Sequence, residues 1–259
     1  MKRAIIVFVL AGLAGCANGP SAPDFKASVD TTGQETEARS RARIHTELAA
    51  GYFQLGNMSI ALEEVNEALR AEPAYGPAYN VAGLIYSSLK EDKRAQDSFQ
   101  QALRINPLDS DANNNFGLFL CDRKREDEAI KYFLAALRNP LYQTPERSYI
   151  NAGLCSRRRG DLASAENYFQ QAAKVRPNQP QPLYQLAELA YTRRAYNEAK
   201  EYLTRLARIT APTPEILWLG WRVERRLGDR NAAASYYTQL TKNFPDSKEA
   251  QAVRAGRDE

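Results

Sequence analysis

Gly76 to Pro107, GPAYNVAGLIYSSLKEDKRAQDSFQQALRINP, contains one complete structural unit. Tyr79, Ala82, Gly83 and Tyr86 fall at i, i+3, i+4 and i+7, which is one face of a helix. Ala95, Phe99, Ala102 and Leu103 give a second helical face. The polar stretch Lys90 to Lys93 is short enough to turn one helix back on the other. Asn106-Pro107 ends the second helix, because proline has no N–H to donate and disfavours helical geometry in the residue before it. A lone helical hairpin cannot bury both of its apolar faces, so the unit predicts neighbours of its own kind.

The neighbours follow in the chain. The alanine that opens each second helix recurs at Ala61, Ala95, Ala129, Ala165, Ala199 and Ala233, at intervals of 34, 34, 36, 34 and 34 residues. A 34-residue helix–turn–helix period is the signature of tetratricopeptide repeats. The small residue of the first helix is Ala49, Gly83, Gly117, Gly153 and Ala187, and the sixth unit is read with Trp221 there. The large residue four positions after the alanine is Val65, Phe99, Phe133, Phe169, Leu203 and Tyr237. Closing prolines stand at Pro73, Pro107, Pro177 and Pro245, with Pro140 and Pro212 displaced by one. The expected fold is therefore all-α, a right-handed superhelical solenoid of six repeats at 42–75, 76–109, 110–143, 146–179, 180–213 and 214–247. They lie in an array spanning 36–247, with a C-terminal tail at 248–259. The two extra residues fall at 139–145, a two-proline connection. It reads either as a change of superhelix angle that presents Leu141 and Tyr142, or as a tolerated insertion.

The N-terminus carries an address. Lys2 and Arg3 precede the apolar run Ala4 to Gly12, which is too short to span a bilayer and reads as a secretory signal. Leu13-Ala14-Gly15-Cys16 resembles a bacterial lipobox, which implies a signal peptide at 1–15 and lipidation of Cys16. Ala17 and Asn18 carry no aspartate of the kind that retains such proteins at the inner membrane, which by that resemblance favours the outer one. Residues 16–35 mix Pro, Gly, Ser, Asp and Thr without helical period and read as a flexible lipidated tether. Thr32 and Glu35 have the spacing of a capping box for the first helix.

The chain of 259 residues is 44% hydrophobic and 25% charged, the balance of a folded protein. Its formal charge of +4 falls to +2 without Lys2 and Arg3, so the sequence gives no nucleic-acid footprint. The one histidine, His45, cannot build a metal site and reads as a core or partly buried ring. There is no glycine-rich phosphate loop, GxSxG or HExxH motif, and the carboxylates are scattered along polar helix faces. The expectation is a binding protein and not an enzyme, with no cofactor, metal or small-molecule substrate.

Such arrays usually bind ligands on the concave surface lined by their first helices. The period places Asn80, Leu84 and Ser87 there in repeat 2, and Asn114, Leu118 and Asp122 in repeat 3. Repeats 4 to 6 offer Arg157, Arg158, Tyr184, Tyr191, Trp218, Arg222 and Arg225. Asparagine amides suit the backbone of an extended peptide, and leucines and aromatics its side chains. The arginines fit two readings: a groove for an acidic segment, or cations that offset the helix dipole at first-helix C-termini. Cys121 and Cys155 sit at near-equivalent places in repeats 3 and 4. The residues leave open a bridge closing a loop of about 34 residues, or two buried free thiols.

Asn113-Asn114-Asn115-Phe116-Gly117 leading to Phe119-Leu120-Cys121 goes beyond a generic repeat, as does Pro140 to Pro145 followed by Asn151-Ala152-Gly153-Leu154-Cys155. With the lipobox and six repeats, these make the chain resemble the PilF/PilW family of type IV pilus biogenesis lipoproteins, the secretin pilotins, from Cys16 to about Glu249. The resemblance implies an outer-membrane, lipid-anchored protein facing the periplasm. It implies binding to the pilus secretin subunit, help with secretin localisation and multimerisation, and so pilus biogenesis and twitching motility. It also implies a Cys121–Cys155 disulfide linking repeats 3 and 4. The competing reading is a periplasmic scaffold that docks peptidoglycan enzymes or outer-membrane assembly factors.

Overall fold

The computed structural model describes residues 36–257, and every regular element among them is a helix. The signal segment, Cys16, the tether and the Thr32–Glu35 box lie outside the described residues. Six hairpins follow one another: α1 (Glu37–Gln54) with α2 (Met58–Ala71), α3 (Gly76–Ser88) with α4 (Asp92–Ile105), and α5 (Ser110–Asp122) with α6 (Glu126–Ala136). Then come α7 (Pro145–Arg158) with α8 (Leu162–Val175), α9 (Pro180–Thr192) with α10 (Tyr196–Ala207), and α11 (Pro214–Leu227) with α12 (Arg230–Asn243). Each second helix also packs on the first helix of the next hairpin, from α2 on α3 to α10 on α11, which makes the array an all-α tetratricopeptide solenoid.

Local chemistry sets the helix ends. Proline stands in the first turn of α3, α7, α9 and α11, where its missing N–H costs nothing. Asp109, Asp161 and Asp229 cap α5, α8 and α12 by accepting from Ala112, Ser164 and Ala232 backbone N–H groups at 2.9, 3.0 and 2.9 Å.

Inside each hairpin a small residue meets a large one. A Cβ on Gly83, Gly117 or Gly153 would come within 2.6, 2.7 or 2.5 Å of Phe99, Phe133 or Phe169 respectively, all fully buried rings. Where the small position is alanine, the partner is smaller. Ala49 shares its core cluster with Val65, and Ala187 shares its cluster with Leu203.

The sixth hairpin departs from the expected register. Its close approach is made by Gly220 on Tyr236, where a Cβ would lie 2.5 Å from the ring, and not by Trp221 and Tyr237. An indole is too large for that position, so the contact slides by one residue. Trp221 turns instead into a core with Leu217, Leu240, Ala250 and Val253, and Tyr237 faces solvent. The last two of these partners belong to α13 (Lys248–Arg254), a helix within the stretch expected to be a tail. It covers the apolar end that a seventh repeat would otherwise have to bury.

Candidate functional site

Successive first helices are stitched along one wall. Asn115 Nδ2 donates to Asn80 Oδ1 at 3.1 Å, joining α5 to α3. Asn114 Oδ1 accepts from Ser148 Oγ at 3.1 Å and Asn151 Nδ2 at 3.0 Å, joining α5 to α7. Arg157 donates to Gln185 and, at 2.8 Å, to Glu188 on α9. Arg158 reaches back to the Cys121 carbonyl at 2.9 Å and to Asp122 at 3.2 Å.

These contacts redefine several residues that the period placed on a ligand-facing surface. Asn80 and Asn114 are 8% and 1% exposed, and their side-chain oxygens hold neighbouring repeats. Leu84 is half-buried against the phenylalanine cluster, and the Ser87 carbonyl accepts from Arg123 at 3.3 Å. Leu118 stays open at 41% exposure, and Asp122 is exposed while paired with Arg158. Arg157 and Arg158, in the last turn of α7, each also hold a carboxylate on an adjacent repeat.

Cys121 and Cys155 are joined as a disulfide with Cα atoms 6.0 Å apart, at the ordinary spacing for such a bridge. The bridge ties α5 to α7 across the junction that holds the two-residue insertion. It lies beside Phe99, Phe116, Phe119 and Phe133, whose rings pack at centroid separations such as 5.5 Å for Phe99–Phe116.

A surface that the 34-residue count did not single out lies on α1. Ile44, Glu47, Leu48, Gly51, Tyr52 and Leu55 line a shallow groove, with Ile44, Leu48 and Leu55 exposed by 46%, 44% and 75%. The same helix buries Ala42, Thr46 and Ala49 on its other side. An apolar stripe at i, i+4 and i+11, opposite an apolar buried face, was the available signal. No preceding hairpin among the described residues packs on it.

At the other end, the seam between α9 and α11 is aromatic. The Arg222 guanidinium lies 4.2 Å from the Tyr191 ring centroid and 4.4 Å from that of Trp218. Tyr184 donates to Glu188 at 3.1 Å. Burial, reinforced by the Glu188 charge, pushes the Tyr184 hydroxyl well above the usual tyrosine range, so it remains a donor.

His45 is half-buried with Nδ1 2.6 Å from Glu64 Oε2, a link between α1 and α2. Among the described residues no three His, Cys, Asp or Glu side chains stand together as metal ligands, and no helix is long and apolar enough to cross a membrane.

Tetratricopeptide-repeat family profiles match residues 76–107, 93–142, 157–217 and 216–247. The type IV pilus assembly protein PilF of Pseudomonas aeruginosa is 32% identical over 254 residues, 98% of each chain. A solved structure of that organism's PilF superposes with a TM-score of 0.76 at 30% identity, covering 86% of this chain and 100% of its own. The crystal structure of PilW, described as a widely conserved type IV pilus biogenesis factor, gives 0.72 at 35% identity, over 82% of this chain and 98% of its own.

Proposed function

Because the chain belongs to the PilF/PilW family of type IV pilus biogenesis proteins, we propose that it is a non-enzymatic outer-membrane lipoprotein that acts as a secretin pilotin. Lipidated Cys16 and the tether at 16–35 hold the array at the inner face of the outer membrane. The array captures a segment of the pilus secretin subunit. Tethering then raises the local concentration of subunits and favours ring assembly without chemical catalysis.

The observation that carries this reading is similarity to PilF along nearly the whole chain, with the repeat array and the segment around Cys16 both included. The groove of Ile44, Leu48 and Leu55 supplies the docking surface. It is apolar and exposed, and lies on α1, the first described helix, and at Leu55 just after it. Leu118 and Asp122 on α5 are exposed on a separate repeat, where Asn80 and Asn114 tie neighbouring first helices together.

In a strain lacking the gene, secretin monomers should persist and multimers should be scarce. Restoring the chain as L48D should leave multimers scarce with the array folded, because a half-exposed leucine contributes little to stability. Abundant, correctly located multimers in the deletion strain would sink the proposal. Cys16→Ala should leave a protein that still binds the subunit but fails to bring it to the outer membrane, as fractionation would show.

A further inference from the structure

Between α10 and α12 a cleft of about 570 Å³ opens over α11, a volume in the range of small-ligand sites. Its floor is apolar, with Leu203, Leu206 and Leu217 buried beneath it. Thr204 and Ala207 of α10 and Ser235 and Gln239 of α12 form an exposed rim, so the cleft is reached from solvent. The charged side chains of its lining are Lys200 and Glu224. Glu224 is 4% exposed, and its Oε2 accepts from Lys200 Nζ at 2.9 Å. No donor among the described residues reaches its other oxygen. Asp229 Oδ2 lies 4.0 Å from the same lysine nitrogen, so one cation faces two carboxylates.

Tyr236 lines the same cleft, and its hydroxyl makes no hydrogen bond with the described residues. Burial, reinforced by the Glu224 charge, raises that hydroxyl above the usual tyrosine range, so it stays protonated. A buried carboxylate oxygen without a donor is costly and calls for one. A water satisfies the lone pair and leaves the excess of negative charge in place, whereas a cation with N–H donors answers both. A guanidinium fork needs both oxygens of a carboxylate, and Lys200 already holds one of them. A compact ammonium needs only the other. An aliphatic stem behind it then lies along Leu203, Leu206 and Leu217 and buries apolar surface there.

We infer that this cleft binds a primary ammonium on an aliphatic stem, the end of a partner protein's lysine or a free aliphatic amine. Glu224 reads the charge, and the Tyr236 hydroxyl offers a second polar contact beside it. The site lies between the fifth and sixth hairpins and shares no residue with the α1 groove.

The test titrates the purified full chain with n-pentylamine and follows the Tyr236 ring resonances by NMR. The amine should shift them saturably, and sodium chloride should weaken its binding. Pentanol and pentanoate keep the stem without the positive charge, and should bind on the order of tenfold more weakly or worse. E224Q should lose a similar factor for the amine. K200A should bind the amine more tightly, because a competing cation is gone, whereas a site built on Lys200 would lose its ligand. A capped Gly-Gly-Lys-Gly-Gly peptide then names the source. Binding at least as tight as that of the amine assigns the cleft to a partner's lysine, and weaker binding assigns it to a free amine. The absence of a saturable shift in the unaltered chain, equal binding of pentanol or pentanoate, full affinity in E224Q, or lost affinity in K200A would overturn the inference. If E224Q fails to fold, the comparison of amine with pentanol and pentanoate in the unaltered chain decides. No pilus component enters this assay, so its failure leaves the secretin reading standing. Normal multimers in the deletion strain would remove the secretin reading without touching the amine result.

Discussion

A left-handed residue closes the turn of every hairpin. Gly56, Lys90, Lys124, Gly160, Arg194 and Gly228 have φ of 79°, 62°, 60°, 86°, 65° and 81°. They recur with the same 34-residue spacing as the alanines, widened to 36 between Lys124 and Gly160. Glycine adopts that conformation freely, whereas a side chain meets the following carbonyl. The sequence shows the period at these positions but not the conformation, since lysine and arginine give no turn signal of their own. K124G should therefore stabilise the chain. Relief of left-handed strain outweighs the added freedom of the unfolded glycine, for a net gain of about 0.5–1 kcal/mol. Thermal unfolding should move up by about 2 °C. A lower midpoint would show that the Lys124 side chain contributes more than its backbone costs.

Within a hairpin, the decisive fit is between one small residue and one ring, sixteen positions apart. Gly83–Phe99, Gly117–Phe133, Gly153–Phe169 and Gly220–Tyr236 obey one rule, and Ala49–Val65 and Ala187–Leu203 obey its complement. The pairs were legible as a list of small and large positions. That the sum of their sizes is held constant became visible only with the helices in place. G117A should cost about 1–3 kcal/mol through overpacking. Adding F133L should recover part of that loss, because the smaller side chain makes the room that alanine needs. A double-mutant cycle in urea denaturation measures the coupling, and strict additivity would mean that the two sites do not share the space. The sixth hairpin shows why counting alone misplaced its contact. An alanine at 233 kept the period while the bulk of Trp221 moved the helix contact by one residue.

For the molecule as a whole, stability is distributed along a line of repeats, so the junctions and ends govern it. The Cys121–Cys155 bridge spans 34 positions, and in the chain-entropy model closing such a loop contributes about 3–4 kcal/mol. Reduction, or C121S with C155S, should lower the denaturation midpoint with most of the loss centred on repeats 3 and 4. Hydrogen exchange should show amides of α5 to α8 opening more readily while α9 to α12 change little. Uniform loosening along the array would argue against a local clamp. The two ends are treated differently. Among the described residues, α13 covers Trp221 at one end, while Ile44 and Leu48 of α1 and Leu55 just after it are exposed at the other.

The sequence by itself determined the class of fold, the hairpin period, and the small and large positions of the first five units. Those features depend on spacing along one chain, and helical periodicity reports spacing directly. Tertiary structure decided which polar side chains remain available. Asn80 and Asn114 carry amides that suit a peptide ligand, yet their acceptors are used by residues 34 to 37 positions away. Arg157 and Arg222 look alike in the sequence, but one meets a carboxylate and the other meets two rings. A donor's partner depends on where a neighbouring repeat places its acceptor, and a change of one residue in register or rotation is enough to bring it within reach or remove it.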